Sequence, residues 1–352
     1  MISATPFGTT PDGAQVTCYA IDNGSITVRV MDFGATIIGI DAPDENGECA
    51  DIVLGYGSID GYTAANPSCY GATIAPSANR IGGAELTIDG ETWHLVKNEG
   101  ENNLHTDLDH GLHKRVWNAE VDDAENTVRF TTALAHGELG LPGERAFTAE
   151  YTLTPAGVLR LRYAATSDRR TFVNMTNHSY FNLAGHDSGS ILGQVVSVNA
   201  SQVLVVDEHS VPTGELRDVE GTAFDFRSPK PLGRDIEADD EQLRIAHGFD
   251  HCFCVDGFRA TGTHLRPALH AEDPESGRVL DISITTPGAH LYTGNFVGDE
   301  HAKDDATYRA NDGFAFEPEY YPNTPNIPSF PQCFCGPEHP YESVIEYRFS
   351  TI

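Results

Sequence analysis

The sequence predicts an all-β protein built as one large antiparallel β-sandwich. Three observations predict it: apolar residues recur at every second position from the first residues to the last, helical stripes are scarce, and turn formers are abundant, with 34 Gly and 20 Pro in 352 residues. Residues two apart on a strand share a face, so period-two alternation describes a strand with one side in a core and the other in water. A chain of this length can bury a sizeable core. It carries no internal repeat, low-complexity tract or Ser/Gly/Pro-rich linker, so residues 1–352 are expected to form a single domain.

Near the start, Ile26, Val28 and Val30 alternate with Thr27, Arg29 and Met31. Asp32-Phe33-Gly34 then bends the chain before Ile37, Ile38 and Ile40, which reads as a pair of strands. Next, Leu86-Thr87-Ile88 and Thr92-Trp93-His94-Leu95 flank Asp89-Gly90, a favoured two-residue hairpin connection. The best hairpin signal follows. Phe147, Ala149, Tyr151 and Leu153 face one way, Pro155-Ala156-Gly157 turns, and Leu159, Leu161 and Tyr163 return, leaving Arg160 and Arg162 on the opposite face. The one credible helix is short and lies near Asp239-Asp240-Glu241-Gln242-Leu243-Arg244.

Charge narrows the partners. With 52 acidic against 22 basic residues, the formal net charge of -30 repels phosphate backbones and anionic lipid, so neither nucleic acid nor membrane is an expected partner. An anionic substrate is disfavoured for the same reason, and the surplus acid reads as a solvated surface. No basic start and apolar stretch mark a signal peptide, and no apolar run is long enough to span a bilayer. The seven cysteines, Cys18, Cys49, Cys69, Cys252, Cys254, Cys333 and Cys335, are odd in number and scattered, unlike a secreted disulfide framework. A cytoplasmic location is expected; oligomeric state is not legible in the sequence.

Five segments that otherwise read as strand or strand end carry clustered polar residues: Ser77-Ala78-Asn79-Arg80-Ile81, Asn102-Asn103-Leu104-His105, Asn174 to Tyr180, Gly248-Phe249-Asp250-His251, and Phe316 to Tyr321. Singly, each has a structural explanation, such as a hydrogen-bonded core histidine, a turn aspartate or a surface arginine. Together they offer donors and acceptors in several directions, which is what holding a polyhydroxylated ring requires. They also supply an acid/base pair, since imidazole titrates near neutrality and burial tunes a carboxyl upward.

In an ordered series of motifs spanning nearly the whole chain, the sequence resembles the aldose 1-epimerase (galactose mutarotase) family. The series includes Ala78-Asn79-Arg80-Ile81-Gly82-Gly83, Asn103-Leu104-His105, Gly137-Glu138-Leu139-Gly140-Leu141-Pro142-Gly143, Phe249-Asp250-His251, and Phe316-Glu317-Pro318-Glu319-Tyr320-Tyr321-Pro322-Asn323; the most specific stretches are Thr176-Asn177-His178-Ser179-Tyr180-Phe181-Asn182-Leu183, Val211-Pro212-Thr213-Gly214-Glu215, and Gly221-Thr222-Ala223-Phe224-Asp225-Phe226. The resemblance implies a galactose mutarotase-like supersandwich with the sugar in an open cleft. It also implies an isomerase without metal or redox cofactor, whose partner is a small neutral monosaccharide such as galactose or glucose. Residue by residue, it implies His178 as general acid at the ring oxygen, Glu317 as general base at the C1 hydroxyl, and His105 close enough to polarise the reacting centre. Asn79, Arg80, His105 and Asp250 would hold the sugar hydroxyls. Where the family commonly has a sugar-binding glutamine this chain has His290, which is expected to bind the sugar from the same place in the pocket.

Two further departures, Ala75-Pro76-Ser77-Ala78 in place of a common Gly-Arg pair and Thr106-Asp107-Leu108-Asp109-His110 in place of a small Gly-containing turn, bear on which sugar is preferred. Other readings compete. Cys252-Phe253-Cys254 and Cys333-Phe334-Cys335, with His251 and His339, suggest either zinc or small apolar cysteines packed in a sheet, and the spacing favours the latter. Asp299, Glu300, Asp304 and Asp305 lack the ligand spacing of a calcium loop. Glu317 and Glu319 suit a glycosidase only if Pro318 leaves both on one side of a strand. A phosphosugar epimerase would need more Arg or Lys, and a sugar-binding module would need no acid/base pair.

Overall fold

The computed structural model describes residues 2–64, 68–260 and 264–352. The alternation resolves into three main antiparallel sheets. Five strands, Ser3–Thr9, Gln15–Asp22, Thr27–Met31, Thr36–Pro43 and Cys49–Asp51, form a meander in chain order. Nine form a second sheet whose centre pairs Val158–Ser167 with Tyr341–Thr351, and Tyr341–Thr351 with Arg278–Ile284. Six form a third, in the order Tyr180–Phe181, Phe314–Glu319, Gly288–Tyr292, Asp250–Val255, Ala200–Val206, Pro212–Asp218.

The expected hairpins are present. Arg145–Leu153 pairs with Val158–Ser167 in register from Arg145 opposite Ser167 to Leu153 opposite Leu159, and Phe147, Tyr151, Leu161 and Tyr163 are all buried. On the other face Arg160 and Arg162 pair with Glu346 and Glu342 of the adjoining strand. Glu85–Ile88 and Glu91–His94 form the second hairpin across Asp89-Gly90. Near the start, Thr27–Met31 pairs with Thr36–Pro43, but Met31 is buried, because it packs with Val16, Tyr62 and Tyr180 in a second apolar cluster beside the main core. The short helix runs Glu241–Ala246, where Asp240 accepts the Gln242 backbone N–H as its N-cap. A five-residue helix, Ile59–Thr63, lies outside the sequence expectation.

The six-stranded sheet carries the site because its two faces differ. Phe314, Phe316, Ala289, Leu291 and Phe253 belong to the main core, where Phe181 meets Tyr347 of the nine-stranded sheet with ring centroids 5.3 Å apart. The alternate residues Glu317, Glu319, His290 and Cys252 occupy the other face, as period two requires. Pro318 does not bend its strand: the register runs unbroken from Gly288 opposite Glu319 to Tyr292 opposite Ala315. Both glutamates therefore share one side.

Cys18, Cys49, Cys252, Cys254, Cys333 and Cys335 form no disulfide, and of these all but Cys49 are buried. Cys252 and Cys254 pack with Leu204, Tyr321 and Phe330, whereas Cys333 and Cys335 join the main core. Among the described residues no group able to hold a metal includes a cysteine or the acidic loop, where Asp299 instead accepts hydrogen bonds from Tyr56 and Tyr70. No helix among them is long and apolar enough to cross a membrane.

Candidate active site

Glu317 and His290 face each other in register across neighbouring strands, and Asp250 lies opposite Tyr292 on the next. Above this floor, His178 sits between the short strands Thr176–Asn177 and Tyr180–Phe181. Its backbone is clamped on both sides: the His178 N–H donates to the Ala72 carbonyl, and the His178 carbonyl accepts from Gly71 N–H, both at 2.9 Å. Asn177 holds the turn by accepting from the Ser179 N–H and hydroxyl and donating to the Gly71 carbonyl. The His178 ring stacks on Tyr180 at 5.0 Å and 22° and meets the His105 ring edge to face at 5.1 Å.

Asn79, Arg80 and His105 arrive from the two-stranded pair Arg80–Ile81 and Asn103–Leu104. Asn79 and His105 both have left-handed backbones, with φ of 60° and 51°. That geometry directs the Asn79 backbone N–H to His105 Nδ1 at 3.1 Å. The Arg80 guanidinium is held by Glu99 through two bonds of 2.8 and 2.9 Å, and it reaches within 3.7 Å of Asp250.

These residues line one cleft enclosing about 740 Å³ of empty space, part of it open to solvent, a size usual for small-molecule sites. All seven residues singled out in the sequence, His178, Glu317, His105, Asn79, Arg80, Asp250 and His290, line it. Six others, to which the sequence reading gave no role, join them: Ser68, Glu99, Leu104, Tyr180, Tyr292 and Phe296. Glu319 is fully buried and does not line it. In the cleft His178 Nε2 lies 3.5 Å from Glu317 Oε1.

Burial dominates the electrostatics. It pulls His178 down to about 4 and His105 well below the ordinary histidine value, and it pushes Glu317 and Glu319 well above the usual carboxylate range. Asp250 goes the other way. Burial alone would raise it, but the hydrogen bond from His290 and the Arg80 guanidinium outweigh that and hold it well below the carboxylate range. One cleft thus holds a carboxylate whose charged form is favoured beside a carboxyl and two imidazoles whose neutral forms burial favours.

Ligand atoms of His105, His178 and Glu317 lie within 4.8 Å of one another, a two-histidine, one-carboxylate set of the kind that can hold a metal. The hydrogen bonding of His105 argues against that use. Its Nδ1 accepts the Asn79 N–H, so the neutral ring carries its proton on Nε2 and offers the cleft a donor, not a lone pair.

The model of the family described as aldose 1-epimerase matches residues 17–348. The chain belongs to the aldose 1-epimerase family. It is 36% identical to a galactose mutarotase of Bos taurus over 354 residues, which cover 99% of each chain. It is 34% identical to an aldose 1-epimerase of Escherichia coli (strain K12) over 359 residues, again 99% of each. Among solved structures, an aldose epimerase homologue from C. elegans superposes with a TM-score of 0.86 at 30% identity, covering 95% of this chain and 98% of that one. The antiparallel architecture is thus that of the galactose mutarotase-like fold.

Proposed function

We propose that this chain is an aldose 1-epimerase that interconverts the α- and β-anomers of a free aldohexose such as galactose or glucose. The observation that carries the reading is the contact between His178 and Glu317, 3.5 Å apart in the cleft. In a cyclic sugar, O1 and O5 are bonded to the same carbon, so an acid and a base that nearly touch are spaced to serve both oxygens at once. Glu317 as carboxylate takes the C1 hydroxyl proton while His178 as imidazolium protonates O5, and the C1–O5 bond breaks to give the open-chain aldehyde. Rotation about C1–C2 presents the other face, and the ring recloses with the two roles exchanged. No proton is gained or lost overall, and one proton suffices for the pair; direct exchange between the two side chains selects which of them starts with it.

His105 Nε2–H donates to an oxygen at the reacting centre, while Asn79, Arg80 and Asp250 hold hydroxyls and fix the ring. Among the described residues Arg80 is the one Lys or Arg lining the cleft, and it is already bound by Glu99, which speaks for a neutral sugar over a phosphosugar. Glu319 lies off the cleft, so Glu317 and Glu319 do not serve together as the two carboxylates of a hydrolysis. Seven cysteines, odd in number and scattered along the chain, support a cytoplasmic location. The test is the optical rotation of freshly dissolved α-glucose or α-galactose: the protein is expected to accelerate its decay, and a rate equal to buffer overturns the reading.

A further inference from the structure

Beneath the cleft floor runs a row of polar side chains that the acid/base step does not use. Glu319 Oε1 accepts from Asn79 Nδ2 at 3.0 Å, the same nitrogen lies 3.1 Å from His290 Nδ1, and His290 Nε2 lies 2.7 Å from Asp250 Oδ1. The direction of the row follows from counting donors. The Arg80 backbone N–H can only donate, and it meets Asn79 Oδ1 at 2.8 Å, which settles which end of the amide is oxygen. Asn79 Nδ2 therefore gives one hydrogen to Glu319 and the other to His290. The Nδ1 of His290 must accept, its ring proton sits on Nε2, and that proton is donated to Asp250. Both ring nitrogens of His290 are thus occupied within the protein, although the residue lines the cleft.

The far end is equally constrained. Glu319 is fully buried, its Oε2 has no protein partner, and its nearest basic group is His290 at 3.6 Å, so Asn79 is what anchors it. At the near end, Asp250 has Oδ1 tied to His290 and Oδ2 within 3.7 Å of Arg80. A carboxylate held at one oxygen keeps its remaining lone pairs in fixed directions, and an acceptor so held discriminates among hydroxyl positions better than one free to turn.

We propose that Glu319, Asn79 and His290 form a positioning chain that sets the direction of the Asp250 carboxylate, so that Glu319 and His290 control sugar affinity through Asp250 without touching the sugar. The proposal rests on the reading above only in taking Asp250 as a sugar-binding group. The experiment compares Glu319→Leu, Glu319→Gln, His290→Phe, His290→Gln and the double variant Glu319→Leu/His290→Phe. Each is measured for kcat and KM by polarimetry, for galactose and glucose Kd by calorimetry, and for folding by near-UV circular dichroism.

Cutting the chain at Glu319→Leu or His290→Phe is expected to raise KM and Kd about tenfold, the effect of one hydrogen bond to a charged group, with a smaller change in kcat. Glu319→Gln keeps an oxygen for Asn79 and recovers most of the affinity that Glu319→Leu loses; His290→Gln, able to accept at one end and donate at the other, does so in part. The double variant binds no more weakly than His290→Phe alone, because both cuts sever one chain. Unchanged KM and Kd in the single cuts overturns the proposal. So does additivity in the double variant, or a Glu319→Gln as weak as Glu319→Leu. If the Leu and Phe variants do not fold, the two Gln variants decide it: a loss of affinity at Glu319→Gln matching that of Asp250→Asn overturns it. A wild-type protein that binds galactose without accelerating mutarotation removes the enzymatic reading while the Kd comparison still decides the chain; one that binds neither sugar overturns both.

Discussion

With His178 pulled down to about 4 and Glu317 held well above the carboxylate range by burial, the pair holds one proton between those two limits. Below about 4 the imidazole takes a second proton while the carboxyl keeps its own, so no base remains. At alkaline pH the pair loses its proton and no acid remains. The kcat/KM profile for mutarotation is therefore expected to show a plateau whose acid limb lies nearer 4 than the ordinary histidine value of 6.5. An acid limb centred on 6.5 contradicts it. His178→Asn and Glu317→Gln should each lower kcat by about 10²–10⁴, and the double variant by little more than the worse single one, since either change removes the one shared proton path. Arg80 belongs to a different class of effect. Glu99 grips it by two bonds, so Glu99→Gln should loosen the guanidinium and raise KM about three- to tenfold while kcat moves less, as read by initial rates over a range of sugar concentrations.

Gly71 shows how one element positions a reactive side chain on another. Its φ is 66°, its N–H and carbonyl bond His178 and Asn177, and a Cβ there would stand 1.8 Å from the Ile37 carbonyl oxygen. Gly71→Ala is expected to cost at least about 2 kcal/mol of stability and to lower kcat, because the clamp on His178 must shift; thermal melts and polarimetry check both. At this scale period two was legible and pairing was not. The alternation Phe314, Phe316 against Glu317, Glu319 told which residues share a face, and Leu86 to Leu95 announced its own turn. Nothing local announced that Tyr341–Thr351 inserts between Val158–Ser167 and Arg278–Ile284, since alternation fixes a strand's faces but not its neighbours. The helix Ile59–Thr63 escaped because five residues with only Ile59 and Tyr62 buried carry no periodic signal. Whether Pro318 bends its strand was open in the sequence, because losing one N–H is tolerated in some ladder positions and not in others. Glu99 was overlooked for a related reason: its grip on Arg80 joins residues across a turn, a contact no spacing rule encodes.

The main apolar core draws on all three large sheets, with Ile21 and Val30 from the first, Tyr163 and Ile345 from the second, and Phe253 and Phe316 from the third. A shared core of this kind predicts that residues 1–352 unfold as one unit, with far- and near-UV circular dichroism reporting coincident transitions. Its acid stability follows from what the core encloses. Burial holds His113, His178 and His251 to about 3, 4 and 3, whereas the unfolded chain protonates them near 6.5. Between those limits the unfolded state binds more protons, so their contribution is complete above 6.5 and is lost as pH falls. Glu317 and Glu319 oppose this above 4.5, because their raised values make the folded state the better proton binder there; below 4.5 both states hold those protons and the opposition ends. Three histidines outnumber two glutamates, so melting temperature should fall as pH drops from 6.5 to 4.5, and fall more steeply just below 4.5 where the offset ends. His113→Leu separates the histidine contribution from that of the acids. Removing a buried group that titrates only when unfolded should leave the variant's melting temperature closer to wild type, or above it, as pH drops from 6.5 toward 4, each pH unit recovering up to about 1.4 kcal/mol. A gap between the two proteins that stays constant over that range places the acid sensitivity elsewhere in the fold.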